Sequence, residues 1–461
     1  MGSQLQGRGR KQLLKKSSRL SPLLLISVIL LGLSFVFLVP PFQNPDEVKH
    51  LGGCLSWALP EQKSPEMIAF WEEQVVEDMK ESRWFRFVGM GEAPARMKRV
   101  SQLPYLFCSS LQEPDNRNTL YHRVGGGLLR LFTLDHRPLT FLYILRLSSW
   151  LFLSLATTLY WLWCRRREEG LFLFLGLSLI PQWVMISTSV SYDAVLGGLS
   201  LLFFLGAREL VESGRWWLFP LLAVPAVLAP FVKLSGGLFL ALFLGFAWLF
   251  APYSLKGRLR TVGALCLASP LLFWAAYRGS YLSALQSKVS DWFNGGTVRP
   301  DGWLLDYVQW ASYWDVLGES LLFKAGWMHH SLSLFWYTPL LLLLLAAMTG
   351  LFLLWGGKML EEREERVVLF HLLCLGSLLT LSLLWSGQHG IFVQGRLLFP
   401  VLLPLVSLVN HGLCLWERRL EMKRPWLRGF ALLFLSLFFM AAIFKLLGVY
   451  YGELSAPLPG L

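Results

Sequence analysis

A chain of 461 residues, 54% hydrophobic and only 16% charged, cannot cover its apolar surface with polar groups; a soluble domain carries about a quarter charged residues. Lipid must serve as much of its solvent. The formal net charge of +12 does not indicate nucleic acid, because the basic residues sit in short clusters between apolar runs, as the positive-inside rule expects, and not on one surface.

Apolar runs of about twenty residues recur along nearly the whole chain, each long enough to cross a hydrocarbon core of about 30 Å. Backbone groups in lipid must bond within their own segment, so the spans are helices, and the alternation of a transmembrane barrel is absent. The expected fold class is all-α: a polytopic helical membrane protein with about eleven transmembrane helices. Four parts are expected. Residues 1–21 form a basic cytoplasmic N-terminus, and 22–277 an N-terminal transmembrane module that includes an outer loop, 40–138. An aromatic outer loop follows at 278–332, then a C-terminal transmembrane module at 333–461.

The N-terminus carries Arg8, Arg10, Lys11, Lys15, Lys16 and Arg19, which keep it in the cytoplasm. The first run, 22–39, is longer than an ordinary signal-peptide core and lacks a small-residue cleavage site, so it reads as a retained span. Later spans are expected near 139–163, 171–190, 194–211, 216–232, 234–251, 261–277, 333–356, 367–386, 397–416 and 428–449. Counting from an inside N-terminus, the inner loops hold Arg165 to Arg167, then Arg208 and Arg215, and then Lys256, Arg258 and Arg260. Lys358, Arg363 and Arg366 fill the next, and Arg418, Arg419, Lys423, Arg424 and Arg428 the last. The odd span count leaves the C-terminus extracytoplasmic. The expected location is a cell membrane.

The first outer loop is polar and mixed in charge, which suits short amphipathic helices on the membrane surface. In and just after 120–134, Arg123, Arg130 and Arg137 recur every seven residues, nearly one helical face. They are expected to face lipid headgroups, with a phosphate site as the sharper alternative. Cys54 and Cys108 share this loop and are either a disulfide in an oxidising compartment or two buried thiols. The second outer loop and its edge carry Trp292, Trp303, Trp310, Trp314, Trp327 and Trp336, an interfacial aromatic belt or a sugar-stacking platform.

Three places can carry chemistry. After the first span comes Pro40 to His50, where Asn44 followed by Pro45 looks like a helix start. Asp46 and His50 are then i and i+4 on one face, with Glu47 three residues before His50. Two carboxylates and an imidazole together suit a general base, its partner and a hydrogen-bond donor. The same residues also suit a capping box from Asn44 and Glu47, with Asp46 favouring the helix N-terminus electrostatically.

The second place is Asp193, at an outer turn between apolar helices. An ionisable group there is costly unless solvated or paired; it is a functional candidate or an N-terminal helix residue. The third is the segment Gln388 to Arg396, before another span. A cation at a helix N-terminus opposes the dipole, and an anion bound there removes the conflict. Arg396 is therefore the phosphate-binding candidate, against snorkelling to headgroups. Lys233 has a similar, weaker case. His329 and His330 lack the spacing of a helical metal pair. No metal is indicated; a divalent ion bridging Asp46, His50 and Asp193 is conceivable but not demanded.

Pro45-Asp46-Glu47 with His50, Ser191-Tyr192-Asp193 after Pro181-Gln182, Lys233-Leu234-Ser235-Gly236, and Gln394-Gly395-Arg396-Leu397-Leu398-Phe399-Pro400 occur in this order. Together they resemble the domain-of-unknown-function 2142 family of multi-pass membrane proteins, over about residues 20 to 450. Leu397 departs from the aromatic residue expected after Gln-Gly-Arg. That family looks like a branch of the C-type (GT-C) glycosyltransferase superfamily. The resemblance implies transfer of a sugar from a polyprenyl-phosphate carrier to a glycan, lipid or protein acceptor on the extracytoplasmic face. It implies Asp46 and Glu47 as catalytic carboxylates, Asp46 acting on the acceptor hydroxyl. It implies Arg396, with Lys233, on the departing phosphate, and Asp193, His50 and Gln394 among the substrate-binding residues. The other classes are a transporter or flippase of lipid-linked glycan and a non-catalytic subunit of a glycan-assembly complex. A transporter would favour internal repeats and midplane charges, which the sequence does not show.

Overall fold

The computed structural model describes residues 21–44, 46–58, 65–87, 97–100, 119–132, 137–252, 310–325, 330–355, 360–389 and 395–451. Among them are α1 Pro22–Leu38, α2 Glu47–Ala58, α3 Pro65–Glu81, α4 Trp84–Phe87, α5 Leu120–Arg130 and α6 Pro138–Cys164. Then come α7 Gly170–Ser178, α8 Pro181–Ser187, α9 Tyr192–Ser213, α10 Leu218–Val232 and α11 Leu234–Phe250. The second half holds α12 Trp310–Leu322, α13 Leu334–Trp355, α14 Glu362–His389, a 3-10 helix Gly395–Val401, α15 Leu402–Arg419 and α16 Trp426–Tyr451. The described residues form no strand; a lone bridge joins Ala325 and His330.

The described residues are those of a helical membrane protein: among them six helices are long and apolar enough to cross a bilayer, including α6, α9 and α16, and the bent pair α7 and α8 would make a seventh. Pro22–Leu38, Leu221–Val232 and Phe239–Phe250 are apolar but shorter. The expected spans coincide with helices except 261–277, which lies outside the described residues.

The expected continuous span at 171–190 is instead broken, with its halves bent by 65°. Pro181 is the cause: it lacks an N–H and disfavours helical geometry at Ile180, which is extended at φ −88 and ψ 108. Pro181 then serves as the first residue of α8, where its fixed φ is suited.

Two helices form the centre. Of the apolar windows of α9 and of the 3-10 helix with α15, 72% and 78% are buried, against 22% for α13 and 28% for α16. The outer pair turns Leu341, Phe352, Leu433 and Phe444 outward, as lipid-facing helices do.

Each central helix carries charge at both ends. Asp193 opens α9, and Arg208 and Glu212 close it, about 28 Å away at 1.5 Å per residue. At the closing end Glu212 accepts from Arg167 at 2.8 Å and from Arg208 at 2.9 Å, and also pairs with Arg363. These arginines belong to three loops expected on one side, and they meet at one carboxylate.

Candidate functional site

The site begins at the end of α1. Helix α2 starts at Glu47, not at Pro45 as the sequence suggested, and Asp46 before it has a left-handed φ of 64°, a conformation uncommon for a residue with a Cβ. The His50 N–H still donates to the Asp46 carbonyl at 2.9 Å, so the two keep their one-turn relation.

Asp46 and Glu47 then part company. Both carboxylate oxygens of Glu47 are gripped by Arg146, at 2.9 and 2.6 Å, and neither side chain has any exposure. Glu47 Oε1 also accepts from the Val190 N–H at 3.1 Å and the Asn44 amide at 3.3 Å. Arg146 spends its remaining donors on the carbonyls of Val36, Val39 and Pro40, so all five N–H groups are used. This corrects two expectations. The capping box does not form, because the Glu47 carboxylate points to Arg146. Nor is Glu47 placed as a second reacting carboxylate: it is sealed and saturated, and it ties α1, α2, α6 and the α8–α9 turn together.

Asp46 faces a different set. Arg396 donates to Asp46 Oδ2 at 2.8 Å and stands 3.6 Å from Asp193. Lys233 donates to the other Asp193 oxygen at 2.6 Å and lies 4.7 Å over the Tyr192 ring. Lys49 approaches Asp46 at 3.4 Å. Asp46, Asp193, Lys233 and Arg396, expected on one side of the membrane, are thus one connected cluster. Unlike the Glu47–Arg146 pair, it reaches the surface: the Asp46 and Arg396 side chains are 19% and 16% exposed. Burial pushes the Asp46 carboxyl up, but Arg396, with His50 and Lys49, outweighs it and holds the group well below the usual carboxylate range.

Each member is placed by its element. Ser191 caps α9, accepting from the Asp193 N–H at 3.0 Å. Lys233 is the single extended residue between α10 and α11, and its N–H bonds back to Ala229. Arg396 is set by Gly395, whose N–H donates to Ser320 of α12 at 2.7 Å. A Cβ on Gly395 would lie 2.1 Å from the Leu321 nitrogen, so α12 approaches closely only because that residue is glycine. The clash between Arg396 and the helix dipole is met here by Asp46 and Asp193.

His50, one turn after Asp46, has its ring edge-on to Tyr192 at 4.3 Å. Its Nδ1 is 3.0 Å from Nε2 of His122 on α5, a residue the sequence reading passed over. Arg123 and Arg130 do not simply face headgroups. Arg130 donates to the carbonyls of Trp57 and Ala58, closing the end of α2, and Arg123 stacks on Trp57 at 4.9 Å. Arg146 was also missed, although a lone arginine within an apolar run is itself the signal.

Gln394, Cys108, Trp292, Trp303 and Trp327 lie outside the described residues. Cys54 is buried in α2 against Gly125 of α5. Trp336 packs on Phe335 and Phe434. Among the described residues no group of three His, Cys, Asp or Glu side chains is arranged to hold a metal ion, and Asp46, His50 and Asp193 do not converge on one.

The chain was compared with protein-family models, curated proteins and solved structures, and none of them matches it.

Proposed function

We propose that the protein is a GT-C-type membrane glycosyltransferase of about eleven spans, which transfers a sugar from a polyprenyl-phosphate carrier to an acceptor on the extracytoplasmic face. The observation that carries this reading is the convergence of Asp46, Asp193, Lys233 and Arg396, from four separate parts of the chain, on one surface-reaching cluster. Two cations beside a carboxylate are what such a transfer needs. As the bond from the sugar C1 to the phosphate oxygen breaks, negative charge grows on the departing phosphate, and Arg396 and Lys233 offset it. The acceptor oxygen bonds to C1 as its proton passes to Asp46.

Arg396 is held by Asp46 and Asp193. An entering phosphate competes for the guanidinium and frees Asp46 for the acceptor hydroxyl. Glu47 does not react; with Arg146 it fixes the backbone on which Asp46 sits.

The test is sugar transfer by the purified chain in lipid vesicles, from a polyprenyl-phosphate sugar, with Asp46→Asn and Arg396→Ala alongside. Loss of transfer by both folded variants supports the reading; full transfer by both ends it. The bend of 65° between α7 and α8 favours a second reading, a flippase of lipid-linked glycan, because discontinuous helices are common in transporters. Movement of a fluorescent polyprenyl-phosphate sugar between leaflets, without transfer, would select it.

A further inference from the structure

A line of polar side chains runs from partly exposed Thr119 through His122 to His50, one turn after Asp46. Thr119, partly exposed, caps α5 and accepts from the His122 N–H at 3.5 Å. Its Oγ1 is also 3.0 Å from His122 Nδ1. His122 Nε2 is 3.0 Å from His50 Nδ1. Both imidazoles are buried, at 1% and 4% exposure. A Cβ on Gly53 would lie 2.6 Å from the His122 ring, so α2 leaves space for this ring through a glycine.

The chemistry of the contacts gives the line a direction. The Thr119 hydroxyl has one O–H and two lone pairs; it accepts from the His122 backbone N–H and can donate its O–H to His122 Nδ1. His122 then carries its proton on Nε2 and donates to His50 Nδ1. His50 in turn carries its proton on Nε2. The other end of the line selects this direction over its reverse. His50 stands one turn after Asp46, its N–H donating to the Asp46 carbonyl at 2.9 Å, and its ring meets that of Tyr192, the neighbour of Asp193. An N–H on the remaining nitrogen is attracted to the carboxylates of Asp46 and Asp193, whereas a lone pair would be repelled.

We propose that His122, oriented by Thr119, is a positioning residue that fixes His50 in the tautomer presenting an Nε2–H donor to the Asp46 pocket. The value of that donor for sugar transfer rests on the function proposed above; the tautomer assignment does not. A ring nitrogen's role is set by the bond its partner nitrogen makes. Without His122 the His50 proton is free to move to Nδ1, and the pocket loses a fixed donor.

Nitrogen-15 spectra of the full chain in nanodiscs, labelled at histidine, test this, with the His50 signals identified by their loss in His50→Gln. In the native protein His50 Nδ1 is expected unprotonated and Nε2 protonated. His122→Leu should lose this single tautomer, while His122→Gln, whose side-chain amide still donates, should keep it. Thr119→Val should shift His122 and mix the His50 tautomers, and Thr119→Ser should not. If His122→Leu does not fold, the Gln and Val variants decide. A protonated Nδ1 on native His50, or spectra unchanged in Thr119→Val, overturns the proposal. Full transfer by Asp46→Asn would defeat the enzyme reading while leaving these spectra to stand or fall alone.

Discussion

Glu47 and Arg146 meet at 2.6 Å with no exposure on either side chain, one residue away from a carboxylate that reaches the surface. Burying two ions is costly, and the pair is tolerated because Arg146 and Glu47 are otherwise saturated by backbone groups. Removing one partner strands the other. Glu47→Gln and Arg146→Leu should each destabilise the protein by about 3–5 kcal/mol, read as a lower unfolding temperature in detergent. The double variant Glu47→Gln with Arg146→Leu should lose less than the two single losses combined, since it leaves no uncompensated charge. Equal stability of the single variants would remove the pair from its structural role.

The Asp46–Arg396 contact should be insensitive to pH across the ordinary range. The Asp46 carboxyl is held below its usual value by Arg396, His50 and Lys49, against burial. A depressed folded value means the stabilisation is present above the unfolded value of about 3.9. It fades only as pH falls from there through the folded value. The difference in unfolding temperature between the native protein and Asp46→Asn should therefore stay constant from pH 5 to 8 and narrow only in stronger acid. A difference that shrinks between pH 7 and 5 would show that Asp46 takes up a proton near neutrality.

The sequence exposed the charged cluster better than its supports. Asp46, Asp193, Lys233 and Arg396 each stand where an apolar run meets polar residues, so cost alone marks them. Arg146 stands inside a run, and the surrounding Leu and Trp residues hide it in any average over the span. The partnership of His50 with His122 spans 72 positions and depends on helix crossing, which no local pattern encodes. The break at Pro181 was legible from proline alone, because the residue before it resists helical geometry. The left-handed Asp46 was not, since nothing but tertiary contact holds a non-glycine residue there.

Arg396 depends on the glycine before it. Gly395→Ala puts a methyl 2.1 Å from the Leu321 nitrogen, a backbone atom that cannot step aside without moving α12. Overpacking of this kind costs about 1–3 kcal/mol, and the displaced guanidinium should serve the proposed phosphate less well. Binding of a polyprenyl phosphate to Gly395→Ala should weaken by about tenfold or more, equivalent to ~1.4 kcal/mol. Gly376→Ala, where a methyl meets nothing within 4 Å, is the control and should bind as the native protein does. Unchanged binding in Gly395→Ala would separate the glycine from the placement of Arg396.

The two charge clusters at the ends of α9 should open to opposite compartments. Lys49 belongs to the Asp46 end and its side chain is 29% exposed; Arg215 follows the Glu212 end and is 58% exposed. Native Cys54, Cys164 and Cys374 are buried and Cys414 is half-buried; labelling of each variant is read against the native chain, which carries all six cysteines. Lys49→Cys should react with a membrane-impermeant maleimide added to intact cells, and Arg215→Cys only after the membrane is opened. A basic loop retained in the cytoplasm is the reason for that direction. Labelling of both from outside would place Asp193 and Glu212 on one side of the bilayer. That is incompatible with an apolar helix about 30 Å long crossing between them, and the phosphate chemistry assigned to Arg396 would lose its compartment.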